Sequence, residues 1–175
     1  MRLAYIYTEK GDALFIAHLP AGYLLADRMT KDQPHRAALI ATGLVASIFP
    51  DFDLLWFYLI DGRQSPHHDY VFHWPLFWIA VAFVAWLTTV LCRKPKARPF
   101  IAVALACLLL HMALDSIAAE IAWFKPLSGF EVNLTEVPPR YDWWVWNFIL
   151  HWTFALEIMI TAAAGFKLWQ NLQLR

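Results

Sequence analysis

The sequence predicts an all-α, polytopic membrane helical bundle with four long transmembrane helices and a shorter N-terminal helix. Hydrophobic residues make up 60% of its 175 residues, and charged residues only 16%, compared with about 25% in ordinary soluble domains. Four apolar segments each reach the roughly 20 residues that a helix needs to cross a bilayer. Tyrosine and tryptophan collect near the segment ends, a pattern typical of an interfacial aromatic belt.

The first and shortest element is predicted over 13–27, ALFIAHLPAGYLLAD, which is interrupted by Pro20. A short span, a re-entrant helix and an interfacial amphipathic helix all agree with this segment. The preceding MRLAYIYTEKGD lacks the apolar core and the small-residue cleavage site of a signal peptide. We expect residues 1–175 to form one membrane-embedded domain.

The four long elements are predicted at roughly 37–60, 70–92, 99–123 and 144–169. Loop 124–143 contains proline, glycine and charged residues and is predicted to lie over one membrane face as a cap or lid.

Basic residues concentrate in the loops on one side of this bundle, which predicts that side to be cytoplasmic. They are Arg28, Lys31, Arg36, Arg93, Lys94, Lys96, Arg98, Lys167 and Arg175. Acidic residues dominate the other side: Asp51, Asp53, Asp61, Asp69, Glu120, Glu131, Glu136 and Asp142. The pattern predicts a bacterial-type inner membrane protein. Its net charge of zero predicts no nucleic-acid partner.

Ionisable residues inside the apolar segments are predicted to lie at one depth. At 1.5 Å of rise per residue, Asp53, His73 and Asp115 lie about 26, 28 and 24 Å from the basic ends of their segments. A lone intramembrane charge is costly, so such groups usually pair or serve a function. For any one histidine, a buried hydrogen-bonded pair is the simpler interpretation, whereas the whole set favours a shared metal ion.

Two motifs supply imidazole ligands. HMALD places His111 and Asp115 four residues apart, on one helix face, and imidazole and carboxylate are both good zinc ligands. HDYVFH supplies His68 and His73 at a loop-to-helix junction. Taken alone, the first motif also fits a single side-chain pair, and the second an interfacial polar turn.

Two further motifs precede them. FPDFD supplies Asp51 and Asp53 after Pro50, which can distort the helix so that both carboxylates face the cluster. We expect Asp53 to be the firmer ligand and Asp51 the proton acceptor or a second ligand. The alternative is a helix that ends with solvated carboxylates. HLPAG supplies His18, which by itself fits a packed polar histidine.

The ordered set HLPAGYLL, FPDFD, HHDYVFH and HMALD resembles the YdjM/YbcI-type family of inner-membrane metal-dependent hydrolases. The resemblance covers most of the chain and implies a site for one or two divalent ions, with zinc favoured. By resemblance the metal-site residues are His18, Asp51, Asp53, His68, His73, His111 and Asp115. The chain departs from the family element at Asp69, Phe72 and Trp74, where Arg, Thr and Ser are common.

The same order is similar to zinc-dependent phospholipase C and its related single-strand nucleases. Those proteins end with an HxxxE motif, whereas here Glu157 follows His151 by six residues. Asn147 and His151 share a helix face and would complete the site, bind substrate or simply pack as a polar stripe. Asp142 is predicted to hydrogen-bond a ligand histidine.

These features predict a membrane hydrolase acting on a small-molecule or lipid substrate, with a phosphoester or ester of a lipid at the non-cytoplasmic leaflet favoured. Asp51 or Asp53 would accept the proton. A metal transporter is one alternative, but it needs ligands across the bilayer, and the cytoplasmic half offers only His35. A non-catalytic or partner-binding membrane protein with a structural polar cluster is the other. Haem attachment is disfavoured because CxxCH is absent.

Overall fold

The protein is an all-α bundle in the part of the chain that a computed structural model describes, namely residues 16–62 and 64–173 without the side chains of His67 and Trp144. The all-α prediction is confirmed, since these residues form an isolated bridge between Ile121 and Val132 but no strand. The helices are α1 His18–Met29, α2 Arg36–Ile48, α3 Asp53–Leu59, α4 Pro75–Leu91, α5 Arg98–Asp115, α6 Trp144–Ile149 and α7 Trp152–Gln173. The expectations for residues 1–15 lie outside the described residues.

The prediction of four long transmembrane helices is wrong. Among the described helices only the continuous stretch Pro95–Asp115, with 21 residues and a mean hydropathy of 1.9, is long and apolar enough to cross a membrane. A second span exists only if α2 and Pro50–Leu59, which meet at a 50° bend, are counted as one. Helix α4 is apolar but has 17 residues.

The predicted segments were too long because hydropathy does not mark where a helix stops. Pro75 occupies the first turn of α4, a position that suits proline, and 71–73 before it form a separate 3₁₀ turn. Helix α5 ends at Asp115 although the next eight residues are mostly apolar. The predicted segment 144–169 divides into α6 and α7 at residues 150–151.

Helix α5 lies at the centre of the bundle and packs against α1, α2 and α4. Its buried Val103, Cys107 and Met112 belong to the main hydrophobic core. Gly43 of α2 permits close packing there, because a Cβ atom at this position would lie 2.6 Å from the Cβ of Ala26 and 3.1 Å from the Sγ of Cys107. Close helix packing therefore holds together the helices that carry the polar residues.

At one end of the bundle a buried carboxylate, Asp27 near the end of α1, links α1 to α2 and α7. Asp27 is 5% exposed and accepts hydrogen bonds from Arg36 at the start of α2 and, at 2.7 Å, from Asn171 of α7. The Nζ atom of Lys167 lies 3.8 Å from the same carboxylate. This acid is thus neutralised by cations, and it lies nine residues, or about 14 Å, along α1 from His18.

Candidate metal centre

The predicted ligands meet at the other end of the bundle. They come from the first turn of α1, the 3₁₀ turn Pro50–Phe52, the start of α3, the turns before α4 and the last turn of α5. Six of them form two groups that could each hold a metal ion, with ligand atoms within 4.8 Å of one another. The groups are His18, Asp51 and His111, and His68, His73 and Asp115.

Hydrogen bonds at the Nδ1 atoms orient the two central imidazole rings. His111 Nδ1 lies 2.8 Å from the carbonyl oxygen of Ser47, and His73 Nδ1 lies 2.7 Å from Asp53 Oδ2. Both acceptors require a proton on Nδ1, so in the neutral rings the Nε2 lone pairs are available as ligands. The two Nε2 atoms lie 3.4 Å apart, close to the roughly 3.3–3.4 Å between two nitrogens bound tetrahedrally to one zinc ion.

Carboxylate oxygens from two further elements approach the same nitrogens. Asp115 Oδ2 lies 3.0 Å from His111 Nε2 and 3.8 Å from His73 Nε2. Asp51 Oδ1 lies 3.5 Å from His111 Nε2 and 4.0 Å from His73 Nε2. Two nitrogens and two oxygens from different parts of the chain therefore surround one small volume.

His18 and His68 extend this arrangement on its two flanks. His18 Nε2 lies 3.0 Å from Asp115 Oδ1, and its ring stacks on His111 with centroids 3.9 Å apart. The ring of His68 meets His73 edge-on at 4.8 Å. Asp115 thus contacts the first group through both carboxylate oxygens and approaches His73 of the second group through Oδ2.

The residues present fit a divalent cation. The His18 Nδ1 atom is buried without a hydrogen-bond partner among the described residues. When His111 is neutral with its proton on Nδ1, Asp115 Oδ2 faces the bare His111 Nε2 at 3.0 Å and also lacks a donor. An unpartnered buried polar group costs about 1–3 kcal/mol. A cation would give these lone pairs a partner and would offset the repulsion between the Asp51 and Asp115 carboxylates. Mixed imidazole and carboxylate ligands suit zinc-type ions.

The centre is partly exposed at Asp51 and at His68. The Asp51 side chain is 34% exposed, whereas those of His73 and His111 are 0% exposed and that of Asp115 is 4% exposed. A small group that approaches the buried nitrogens would therefore meet the Asp51 carboxylate on its way.

Asp53 occupies a different position from the one expected of a main ligand. It is 1% exposed, its Oδ2 atom contacts His73 Nδ1, and it belongs to neither of the two groups. The 3₁₀ turn at Pro50–Phe52 directs Asp51 towards the nitrogens and Asp53 towards the back of the His73 ring. This geometry is that of a carboxylate that orients a ligand histidine.

The segment that carries His68 and His73 is fixed by a turn and by the long loop. Asp61 accepts the backbone N–H groups of Ser65 and Gln64 at 2.8 and 2.9 Å, which stabilise its charged form and lower its pKa.

Asp69 accepts a hydrogen bond from Lys125 of the loop at 2.8 Å. The loop expected to act as a cap thus brings a positive charge to Asp69.

Two positions that contact or support the predicted ligands were not among the predicted site residues. The Ser47 carbonyl oxygen orients His111, and no side-chain pattern signals a backbone group. Glu157 is fully buried in α7 and accepts the N–H of Ile16 at 2.8 Å, which anchors the residues before His18. Its signal was a carboxylate in the middle of an apolar helix.

Three further predicted residues lie outside the two groups. Asn147 exchanges hydrogen bonds with the backbone of Tyr141 at 2.7 and 2.9 Å. The Nδ1 atom of His151 lies 2.9 Å from the Thr153 hydroxyl, and Asp142 is exposed. These contacts close the loop onto α6 and the start of α7, and a role for these residues in the site stays a prediction.

Comparison with known proteins connects the chain to one family. The family model described as YdjM inner membrane protein matches residues 14–173. No curated protein and no solved structure matches the chain significantly. The predicted similarity to zinc-dependent phospholipase C is not shown by these comparisons.

Proposed function

The chain belongs to the YdjM inner membrane protein family, and from this membership and its buried polar centre we propose that it is a membrane-bound, metal-dependent hydrolase. Its substrate would be a phosphoester or ester of a lipid at the non-cytoplasmic leaflet. The two groups would hold one or two divalent ions, with zinc the best match to their ligands.

One observation carries the proposal: a set of imidazole and carboxylate ligands is largely buried and is partly exposed at one member of each group, Asp51 and His68. A purely structural polar cluster gains by pairing every group, because an unpaired buried group is destabilising. Here instead, with His111 neutral, two buried atoms lack partners among the described residues, and the partly exposed Asp51 carboxylate lies 3.5 Å from His111 Nε2. Catalytic metal sites keep such an open position for water or substrate.

Each residue has a definable task in this reaction. When bound, a divalent cation would polarise the phosphoryl or carbonyl oxygen and lower the pKa of a coordinated water towards about 7. Asp51 is placed to accept a proton at its exposed carboxylate. Asp53 and the Ser47 carbonyl hold the His73 and His111 rings, and Asp115 joins the two groups.

A non-catalytic metal-binding or structural role is the alternative, and metal transport is its most specific form. Both metal-ligand groups found among the described residues lie at one end of the bundle. The acid at the other end, Asp27, contacts Arg36 and Lys167, which would repel a cation. This asymmetry favours a fixed site over a path across the membrane.

Hydrolysis is tested with purified, zinc-loaded protein in mixed micelles of bacterial phospholipids, with released headgroups and lipid products measured by mass spectrometry. We expect turnover by the wild type and its loss after chelation, with recovery when zinc is restored. The absence of turnover for phospholipids and for a soluble phosphodiester, in a protein with full metal occupancy, would favour the non-catalytic role.

A further inference from the structure

An apolar groove runs along the bundle surface between α2 and α4. Both helices pack on α5, and α5 forms the floor of the groove through Phe100 and Leu108. Small residues of α2, among them Ala41 and Val45, form one wall, and the groove encloses about 570 Å³. Its lining is almost entirely hydrocarbon, which suits an apolar ligand.

The lining of the groove on α2 ends at Phe49, two residues before Asp51. Phe49 of α2 packs edge-on against Trp78 at 5.6 Å and against Phe72 at 5.7 Å. The indole N–H of Trp78 donates to the Phe72 carbonyl oxygen at 2.8 Å. These three rings form the aromatic rim. Phe49 lies two residues before Asp51 and Phe72 one residue before His73 in the chain, so the rim lies next to the polar centre.

The length and volume of the groove distinguish between two apolar occupants, a partner helix and a hydrocarbon chain. From Ala38 to Phe49 it follows eleven residues of α2, or about 16 Å of helix. A partner helix about 10 Å wide has a volume of roughly 1,250 Å³ over that length, so it could lie along the groove but not within it. A single hydrocarbon chain is slim enough to enter.

We propose that this groove binds an acyl chain of the lipid substrate, and that the aromatic rim places the ester next to Asp51. The inference rests on the proposed function and specifies its substrate as an acyl-chain lipid. A polar headgroup alone would leave the groove empty, whereas a lipid would fill the groove and present its phosphoester beside the partly exposed Asp51.

The kinetic test uses a substitution that narrows the groove. Ala41 is exposed and lines it, so Ala41→Trp fills the groove with little disturbance of the core. Ala80→Trp is the matched control, since Ala80 is an equally exposed helical alanine, on α4, outside the lining. We expect Ala41→Trp to reduce hydrolysis of a long-chain phospholipid by at least about tenfold and to leave bis(p-nitrophenyl) phosphate hydrolysis unchanged. Ala80→Trp should change neither rate.

Equal phospholipid rates in the two variants, or an equal loss with both substrates, would overturn the inference while the hydrolase proposal stands.

A second test measures lipid binding and does not depend on catalytic activity. Phosphatidylglycerol with a diazirine in its acyl chain is photo-crosslinked to the wild-type protein in vesicles, and the labelled residues are mapped. We expect labels concentrated at Val45 and Phe49, reduced in Ala41→Trp and retained in Ala80→Trp. Labelling that spreads evenly to the exposed Phe83 and Val84 of α4 would overturn acyl-chain binding in the groove. This result decides the question even if the protein hydrolyses no substrate.

Discussion

The two aspartates in FPDFD lie two residues apart and have different partners. Asp53 is buried against His73 Nδ1, whereas Asp51 is one-third exposed and faces the Nε2 atoms of His73 and His111. The turn at Pro50 produces the difference, because it replaces a regular α-helical turn with a 3₁₀ turn. We infer that Asp51 acts at the reacting group and that Asp53 acts through His73.

This division predicts different results for two conservative substitutions. Asp51→Asn keeps a neutral oxygen but removes the proton acceptor, so metal should largely remain while turnover falls by about 10²–10⁴-fold. Asp53→Asn weakens only the orientation of His73 and should reduce metal affinity or turnover by about 10–100-fold.

Zinc titration and hydrolysis rates of the two proteins in parallel provide the measurement. Complete loss of metal in Asp51→Asn would make Asp51 a main ligand, and unchanged metal binding and turnover in Asp53→Asn would remove its positioning role.

At the scale of the helices, close contact between α1 and α2 positions the centre. Helix α1 carries His18, and α2 carries the Ser47 carbonyl that orients His111. Gly22 of α1 faces Ser47 so closely that an added Cβ would overlap the Ser47 side chain. The absence of a side chain at Gly22 is therefore needed for the packing that brings these groups together.

A substitution at Gly22 should consequently affect both folding and metal binding. Gly22→Ala would overpack the contact at a cost of about 1–3 kcal/mol, which corresponds to a Tm decrease of about 2–4 °C for each kcal/mol in a protein of this size. Gly165→Ala on α7 is the control, since an added Cβ there has no neighbour within 4 Å, and the exchange should leave the Tm unchanged or raised.

Thermal unfolding in detergent and zinc content are measured for both glycine variants. Equal Tm values and equal metal in the two would show that the α1–α2 contact does not control the centre.

The elements also show how far the sequence could predict the site. The constant rise of a helix was sufficient to place Asp53, His73 and Asp115 at one level, and the structure brings them together. The different directions of Asp51 and Asp53 were not predictable, because they depend on a local 3₁₀ turn. Neither was the role of Ser47, which acts through its backbone.

Helix ends were equally hard to predict. Hydropathy continues past Asp115, yet α5 ends there and Ser116 Oγ donates to the Met112 carbonyl. The break before α7 contains neither proline nor glycine. Tertiary packing decides these boundaries, so four expected spans became one, or two with the bent pair.

For the whole molecule, the two ends of the bundle differ in charge. One end holds the His and Asp centre, and the other holds Asp27 with Arg36 and Lys167. The excess of basic residues in the loops at the second end predicts that it is cytoplasmic. The centre would then face the non-cytoplasmic leaflet, which determines the lipid pool that it meets.

Cysteine labelling tests this orientation. In a background with the exposed Cys92 replaced by serine, a cysteine introduced at Lys96 should react only from the cytoplasmic side. One at Asn133, in the loop at the other end, should react only from outside. A membrane-impermeant maleimide applied to intact cells and to inverted vesicles distinguishes the two sides, and the reverse pattern would place the centre at the inner leaflet.

The metal centre itself is tested most directly by elemental analysis of the detergent-purified protein. After zinc loading and removal of free ions, the wild type should contain close to one or two divalent ions per chain. His111→Ala and Asp115→Ala should lose them, because each removes a ligand and leaves the remaining charges uncompensated. His151→Ala, which removes a histidine outside both groups, should retain wild-type metal. Full occupancy in His111→Ala and Asp115→Ala, or a wild type without metal, would contradict a metal centre formed by these residues.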